Sequence, residues 1–254
     1  MLFRQLFDHD SSTYTYLLAD ERTGEALLID PVLDQAERDL EVVSQLGLRL
    51  VHVLDTHVHA DHVTAAARLR EKTGARTVSS CAGPACADVH VADGDVVRAG
   101  SVALRVLATP GHTDDSVSYL LVDPDHAERP GDRVFTGDAL LIRATGRTDF
   151  QNGDAGGLYD SITRALFTLP DATLVYPAHD YRGRTVTTVR EEKRWNERIA
   201  GRSRDAFIAV MGALHLPEPK QIREAVPANR ACGRVPILED GTQGHVPAGI
   251  AVER

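Results

Sequence analysis

Cysteine is scarce in this sequence of 254 residues, which contains only Cys81, Cys86 and Cys232. An odd and sparse set of cysteines argues against a disulfide framework. Cys81 and Cys86 are separated by four residues, so they lack CxxC spacing and a second pair that would complete a zinc knuckle. We therefore expect three structural or idle thiols.

Long apolar runs and clusters of positive charge are also missing. Residues 27–29 and 50–54 are typical of the apolar runs, which fall far short of the roughly 20 residues that a membrane span requires. The N-terminal stretch MLFRQLFDHD lacks the basic-then-apolar order of a signal peptide. The 28 Lys and Arg residues are outnumbered by 37 Asp and Glu residues, and no basic stripe is visible. We expect a cytoplasmic protein with neither a membrane nor a nucleic-acid partner.

The composition is that of a globular protein, with 43% hydrophobic and 26% charged residues. Apolar runs predict strands at residues 2–7, 13–19, 26–30, 48–54, 76–79, 101–107, 116–122, 134–136 and 172–176. Helical periodicity predicts helices at residues 34–47, 63–72, 155–169, 189–199 and 203–214, followed by an irregular, Pro-rich segment. Asp34 is the expected N-cap of the first helix, and Gly47 its terminator. This is an α/β chain, interpreted as a single domain over 1–254 with a helical or irregular extension from about residue 190.

The sequence THVHADH, which follows the predicted strand at 48–54, is its most informative feature. It places His57, His59, Asp61 and His62 within six residues. In extended backbone, alternate side chains point to the same side, so His57, His59 and Asp61 can face one point. His62 joins them only if the chain turns into the next helix.

Three further segments place a metal-ligand residue type at the end of a predicted strand. They are PGHT with His112, TGD with Asp138 and YPAHD with His179. Ligand sites of α/β folds gather at strand ends, so these side chains and the THVHADH residues predict one metal site. Imidazole and carboxylate ligands suit zinc or iron, whereas calcium prefers oxygen ligands almost exclusively.

The order HxHxDH, His, Asp, His resembles the metallo-β-lactamase superfamily over about residues 3–179. This resemblance implies a four-layer αββα sandwich with the metal site at the rim between two sheets. Within the superfamily the chain looks like the persulfide dioxygenases, on the segments FTGDALLIR (135–143), GRTDFQ (146–151), YPAHDY (176–181) and AVPAN (225–229). Ala144 and Thr145 depart from relatives that carry Gly-Cys there.

The resemblance implies one Fe(II) per chain, held by His57, His112 and Asp138. Two histidines and one carboxylate form the facial triad of non-haem iron oxygenases, which leaves coordination positions open for substrate sulfur and dioxygen. The implied reaction converts glutathione persulfide, O2 and water into sulfite and glutathione. The remaining site residues are then expected to orient the ligands through hydrogen bonds; they are His59, Asp61, His62 and His179.

Arg147 and Tyr181 stand where related glutathione-using proteins hold the tripeptide. The planar guanidinium of arginine is suited to pairing with a carboxylate of glutathione. An ordinary surface salt bridge is the other interpretation of Arg147.

A dinuclear zinc hydrolase of glutathione thioesters, of the glyoxalase II type, is the alternative function. The sequence contains every ligand for two metals, and ligand identity does not separate iron from zinc. GRTDFQ favours the dioxygenase. A non-catalytic descendant of the fold is disfavoured because no ligand is missing. The oligomeric state is open between a monomer and a homodimer.

Overall fold

The computed structural model describes residues 1–126 and 130–234 as two six-stranded sheets with helices on their outer faces. The first sheet has the order β1-β2-β3-β4-β5-β6 and the second β12-β11-β10-β9-β8-β7. The strands of the first sheet are β1 (Leu2–Asp8), β2 (Thr13–Ala19), β3 (Glu25–Ile29), β4 (Arg49–Leu54), β5 (Arg76–Ser80) and β6 (Val89–Val91). Those of the second are β7 (Val96–Ala99), β8 (Val102–Ala108), β9 (Val117–Val122), β10 (Pro130–Gly137), β11 (Leu174–Pro177) and β12 (Thr187–Thr188).

Within the described ranges, six α-helices flank the sheets or follow them in the chain. They are α1 (Ala36–Gln45), α2 (Ala66–Thr73), α3 (Ala155–Ser161), α4 (Val189–Trp195), α5 (Arg204–Gly212) and α6 (Ile222–Arg230). A π-helical turn at Ile162–Leu166 continues α3, and a short 3-10 turn at Leu33–Gln35 precedes α1. Among the described residues, no helix is long and apolar enough to cross a bilayer.

The expected four-layer αββα sandwich is confirmed by the packing. Strand β2 shows why, because all seven of its side chains are buried. Tyr14, Tyr16 and Leu18 face the core between the two sheets, whereas Leu17 and Ala19 face the outer layer with α1 and α2. On the second sheet, Phe207 and Met211 of α5 close the opposite outer layer. A strand buried on both faces reads as a continuous apolar run rather than an alternating one.

Several predicted boundaries differ from the structure. The short strands β6, β7 and β12 were not predicted, and α6 lies where an irregular segment was expected. The expectation that Asp34 caps α1 is wrong: Gln35 occupies the N-cap position without a side-chain cap, and Asp34 lies in the preceding 3-10 turn. The turn intervenes because Gln35 N–H donates to the carbonyl of Val32 before the α-helix begins.

The prediction of three idle thiols is wrong for two of them. Cys86 and Cys232 form a disulfide across 146 residues of chain, and Cys81 is free and exposed. The bond joins the segment after β5 to the end of α6. Spacing along the chain did not indicate this pairing because the fold alone brings the two cysteines together.

The strand ends meet at one rim of the sandwich. Strands β3, β4 and β5 run parallel, as do β10 and β11 of the second sheet. Each polar segment predicted from the sequence follows one of these strands or β8, which runs in the same direction as β10 with β9 between them. Parallel strands end at the same edge, so the carboxyl ends of both sheets bring these segments together.

Candidate metal centre

The segment between β4 and α2, residues 56–64, is called the metal loop below, and Asp30 fixes its first half. Asp30 directly follows β3 and is buried. Its carboxylate accepts hydrogen bonds from the backbone N–H and the hydroxyl of Thr56, at 2.7 and 2.9 Å. It also accepts one from Nε2 of His59 at 3.1 Å. The buried charge is therefore satisfied by the loop that it organises.

Three side chains from distant parts of the chain hold the rest of the metal loop. Asp115 accepts a hydrogen bond from the N–H of Val58, and Gln151 donates one to the carbonyl of Val58. Asn229 of α6 contacts the second half of the loop. A loop whose backbone groups are bonded to buried side chains presents its histidines in a fixed arrangement.

The first group of candidate ligands is His57, His112 and Asp138, the three residues that the family resemblance implies as iron ligands. Ligand atoms of these three residues all lie within 4.8 Å of one another. Nε2 of His112 lies 3.6 Å from a carboxylate oxygen of Asp138. Nδ1 of His112 donates to the carbonyl of Arg147 at 2.7 Å, which leaves Nε2 free to bind a metal.

His57 is oriented by a relay of two hydrogen bonds. The hydroxyl of Thr56 donates to Asp30, so its oxygen accepts a hydrogen bond from Nδ1–H of His57 at 3.0 Å. This arrangement places the lone pair of His57 on Nε2. Hydrogen bonding of the second ring nitrogen fixes the tautomer and the ring orientation of histidines that bind metals.

Glycine at position 137 allows Asp138 to approach the metal loop. Gly137 has a φ of 52°, which side chains rarely adopt. A Cβ at this position would lie 2.6 Å from the hydroxyl oxygen of Thr56. Any larger residue would therefore push the end of β10 away from the loop.

The second group of candidate ligands is His59, Asp61 and His179, whose ligand atoms also lie within 4.8 Å of one another. Nε2 of His179 lies 3.5 Å from Oδ2 of Asp61. It also lies 3.7 Å from Oδ1 of Asp138, a residue of the first group. His62 donates through Nδ1 to Asp61 at 2.9 Å. Asp138 therefore stands between the two groups, and the geometry can hold one ion or two.

Asp30, Asp55 and His59 also bring ligand atoms within 4.8 Å of one another. Their oxygens are already used by hydrogen bonds within the protein, from Thr56 to Asp30 and from Thr64 to Asp55. Burial and, to a smaller extent, the charge of Asp30 raise the pKa of Asp55 to about 7. We therefore interpret this group as the support of the metal loop.

The pKa shifts of these residues favour the protonation states that bind a cation. Burial lowers the pKa of His57 well below its usual value, and His59 and His112 lower it further. Burial and the neighbouring His62 lower the pKa of His59 well below its usual value as well. Burial alone would raise the pKa of Asp61, but His179 and His62 hold it well below the usual value. Two neutral imidazoles and a carboxylate are the protonation states that metal ligation requires.

Three residues of the site carry buried polar atoms that have no hydrogen-bond partner in the described part of the chain. Within the described ranges, Nδ1 of His59, Nε2 of His62 and Oδ1 of Asp138 are buried without a hydrogen-bond partner. Buried polar atoms are rarely left unsatisfied, so three at one site call for a further ligand. The donor set and these atoms fit a transition-metal ion.

A cavity of about 540 Å³ opens onto the centre from solvent. Its walls include His112, Asp138 and His179 on the metal side. Tyr181 stacks on the ring of His179 with centroids 6.0 Å apart, and 72% of its surface is exposed. The cavity is large enough for a substrate of tripeptide size to bring one end to the metal.

Arg147 lies in the wall of this cavity but is extensively bonded to the protein. Its guanidinium pairs with both carboxylate oxygens of Asp149 at 2.6 and 2.7 Å. It also donates to the carbonyls of Leu216 and Pro217. Two further cations, Arg198 and Lys220, line the same cavity, and the sequence interpretation missed both.

The sequence interpretation also missed the residues that hold the metal loop. Asp30 follows a strand end, as Asp55 does, so strand-end position was a usable signal for it. Gln151 and Asn229 belong to segments that carried the family resemblance, but nothing local indicated their contacts. Their role depends on which distant segments the fold brings together.

The fold and the site together define a metal-dependent enzyme: two sheets are covered by outer helices, and histidines and carboxylates gather at their rim. The profile of the metallo-β-lactamase superfamily matches residues 10–80 and 88–179. The human protein named persulfide dioxygenase ETHE1, mitochondrial, is 50% identical over 234 residues, which cover 92% of this chain and 89% of that protein. A crystal structure of ETHE1 from Myxococcus xanthus has 64% sequence identity and a TM-score of 0.88, and the match covers 92% of this chain and 100% of that chain.

A more distant match is the hydroxyacylglutathione hydrolase of Polaromonas sp. strain JS666. It is 40% identical over 172 residues, which cover 66% of this chain and 62% of that protein. The chain therefore belongs to the metallo-β-lactamase superfamily and, within it, to the family of the ETHE1 persulfide dioxygenases.

Proposed function

We propose that this chain is a persulfide dioxygenase, which oxidises glutathione persulfide with O2 and water to sulfite and glutathione. The observation that carries the proposal is its 50% identity to a named persulfide dioxygenase over nearly the full length of both chains. The cavity above the histidine and carboxylate groups supports it, because it admits a large thiol-derived substrate to the centre.

One Fe(II) ion would be held by Nε2 of His57, Nε2 of His112 and a carboxylate oxygen of Asp138. A ferrous ion with this facial ligand set supplies the redox chemistry that joins dioxygen to sulfur. The chain's own contribution is to hold both imidazoles in the correct orientation, through the hydroxyl of Thr56 and the carbonyl of Arg147. The supporting hydrogen bonds fix the ring orientations before the substrate arrives.

His59, Asp61, His62 and His179 would then lie outside the iron's ligand set. Burial lowers the pKa of His179, but Asp61 and Asp138 outweigh burial and raise it. Its Nε2 is therefore suited to carry a proton beside Asp138. The reaction releases protons as sulfite forms, and we assign to His179 the task of accepting one at Nε2.

Glutathione would lie in the 540 Å³ cavity, with Tyr181 and Arg147 at its wall. Arg147 already makes four hydrogen bonds to the protein, so a substrate carboxylate would share its charge with Asp149. Arg198 and Lys220 supply the additional positive charge that two carboxylates require.

The second candidate function is a dinuclear zinc thioester hydrolase. The observation in its favour is the second ligand group, His59, Asp61 and His179, which is as closely gathered as the first. Zinc would lower the pKa of a bound water and so supply a nucleophile. The lower coverage of the hydroxyacylglutathione hydrolase match makes this the weaker candidate.

Metal analysis combined with two activity assays tests the proposal. The protein is purified without added metal, and its iron and zinc contents are measured. Oxygen uptake with glutathione persulfide is compared with hydrolysis of S-lactoylglutathione on the same sample. We expect one iron per chain, oxygen uptake and sulfite formation. Two zinc ions per chain with thioester hydrolysis and no oxygen uptake would contradict the proposal.

Three expectations from the sequence stay predictions. They are the cytoplasmic location, the absence of nucleic-acid and membrane partners, and the oligomeric state, with a homodimer as one option. The name of the human relative places that protein in mitochondria. Cell fractionation and light scattering of the purified chain test these points directly.

A further inference from the structure

Asn229 lies near the end of α6, and its amide is inserted against the metal loop. The residue is only 3% exposed. Its Oδ1 accepts a hydrogen bond from the backbone N–H of Thr64 at 2.8 Å. Its Nδ2 donates to the carbonyls of His59 and His62, at 2.9 and 2.8 Å. One side chain thus satisfies three backbone groups of the loop.

No other side chain of similar size can make this set of bonds. The loop presents one donor and two acceptors to position 229, which match the one acceptor and two donors of an amide. A carboxylate at position 229 would place an oxygen against two carbonyls. An apolar residue would leave three backbone groups unpaired in the interior, which is strongly disfavoured.

These bonds fix the course of the chain around Asp61. His59 and His62 lie on either side of Asp61 in the sequence. Because both of their carbonyls accept from the same amide, the distance between these two carbonyls is fixed. Among the described residues, Nδ1 of His59 and Nε2 of His62 are buried without a hydrogen-bond partner. The backbone that carries them is therefore set by α6.

Helix α6 is itself held firmly against the metal loop. Ala225 and Ala228 pack against Val63 of the loop. The carbonyl of Cys232, just beyond the helix, accepts a hydrogen bond from the N–H of Ala67 in α2. A rigid support of this kind is what accurate placement of metal ligands requires.

We propose that Asn229 is a positioning residue for the metal centre, which sets the affinity and coordination geometry of the bound ion through the backbone of His59 and His62. The link to a ligand runs from His59 to Asp30, which orients the imidazole of His57 through the hydroxyl of Thr56. The inference rests on the metal site of the proposed function and not on which reaction the ion supports. Loss of a supporting hydrogen bond around metal ligands typically weakens metal binding about 10–100-fold.

The test uses Co²⁺ titration of metal-free full-length protein, followed by its visible absorption spectrum. The variants are Asn229→Asp, Asn229→Ala and Asn229→Ser, with the folded fraction measured by circular dichroism. We expect Co²⁺ affinity to fall about 10–100-fold in Asn229→Asp, and the absorption bands to change in shape. In metal-free Asn229→Ala, hydrogen exchange of the metal loop should quicken, beginning with the amide of Thr64, which loses its acceptor.

Two control variants separate positioning from general destabilisation. Arg223→Ala changes an exposed residue of the same helix and should leave Co²⁺ affinity and spectrum unchanged. Leu33→Ala loosens the packing around α6 without touching the amide of Asn229. It should lower the melting temperature while retaining the spectrum of the unmodified protein.

Each remaining outcome counts against the inference. Unchanged affinity and spectrum in the folded Asn229 variants would overturn it. The same spectral change in Leu33→Ala, or failure of all three Asn229 variants to fold, would mark Asn229 as a general stability residue and also overturn it. Unmodified protein that binds no Co²⁺ would contradict the metal site itself, and with it the proposed function.

Discussion

Individual residues of the centre differ in what their second ring nitrogen contacts. His112 is bonded to a backbone carbonyl through Nδ1, whereas Nδ1 of His179 lies 3.3 Å from both the carbonyl of Ser12 and the hydroxyl of Thr13. Both residues therefore direct Nε2 toward Asp138. Only His112 belongs to the group that includes His57. We therefore expect replacement of His112 and replacement of His179 to have different effects on the metal content.

Replacing His112 or His179 by alanine distinguishes one metal from two. His112→Ala should strip the iron and abolish oxygen uptake, because it removes a direct ligand. His179→Ala should keep near-full iron content while activity falls about 10–100-fold, as for other residues that support ligands. The measurement is the metal-to-protein ratio of identically prepared variants. Asp61→Ala serves as a second test of the same group.

A halved metal content in His179→Ala and Asp61→Ala would show that these residues ligate a second ion. The dioxygenase proposal would then give way to the dinuclear hydrolase.

Arg147→Ala tests whether this side chain binds the substrate. Because the His112 contact uses the backbone carbonyl of Arg147, the substitution should leave the iron content intact. Loss of a charge-assisted hydrogen bond costs about 1.5–3 kcal/mol, so KM for glutathione persulfide should rise about tenfold or more. Arg202→Ala, an exposed arginine away from the cavity lining, is the matched control. An unchanged KM would show that Arg147 does not bind the substrate and that its guanidinium serves only the contacts with Asp149 and residues 216–217.

At the scale of single elements, α1 carries a buried carboxylate that weakens the fold at neutral pH. Asp39 is fully buried, and one of its oxygens accepts two hydrogen bonds from Arg38. Its other oxygen has no hydrogen-bond partner among the residues that the structure describes. Burial raises the pKa of Asp39 to about 6, although Arg38 lowers it in part.

Asp39→Asn should therefore stabilise the protein at neutral pH. An aspartate in the unfolded chain ionises near pH 3.9, so the folded state loses stability as the pH rises from about 4 to about 6. Above pH 6 the full cost is present, and asparagine removes it. We expect a gain of about 1–3 kcal/mol in the free energy of unfolding at pH 7.5, fading toward pH 4.

Urea unfolding at pH 4 and pH 7.5 measures this difference. Glu41→Gln, on an exposed position of the same helix, is the control and should have little effect at either pH. A loss of stability in Asp39→Asn at pH 7.5 would mean that the pairing of Asp39 with Arg38 outweighs the cost of burial.

At the scale of the whole molecule, the Cys86–Cys232 disulfide joins segments that are 146 residues apart in the chain. Removing a crosslink that closes a long loop typically costs about 2–4 kcal/mol, mainly because the unfolded chain regains freedom. Cys86→Ser and chemical reduction should therefore lower the melting temperature to a similar extent. Cys81→Ser, at the exposed free cysteine, should not change it.

Thiol titration under denaturing conditions checks the pairing itself. Without reductant we expect one reactive thiol per chain, and three after reduction. Three reactive thiols in the unreduced protein would contradict the disulfide.

The family resemblance implied the αββα sandwich, whereas the sequence by itself indicated an α/β chain and most of the candidate ligands. These features are local: β2 reads as an apolar run, and His57, His59, Asp61 and His62 lie within six consecutive residues. Strand-end segments such as PGHT and TGD could be recognised one at a time, because each contains its own turn and its own ligand type. The order of these segments then carried the family resemblance.

Only the tertiary structure decided which distant groups support the centre. The contacts of Asn229 with His59 and of Cys86 with Cys232 join segments more than 140 residues apart, and no periodicity records such a pairing. Helix α6 escaped prediction because Pro227 inside it disfavours a helix, whereas packing of its alanines against the metal loop favours one. Local propensity is a property of neighbouring residues, and burial and long-range hydrogen bonds exist only once the sheets have come together.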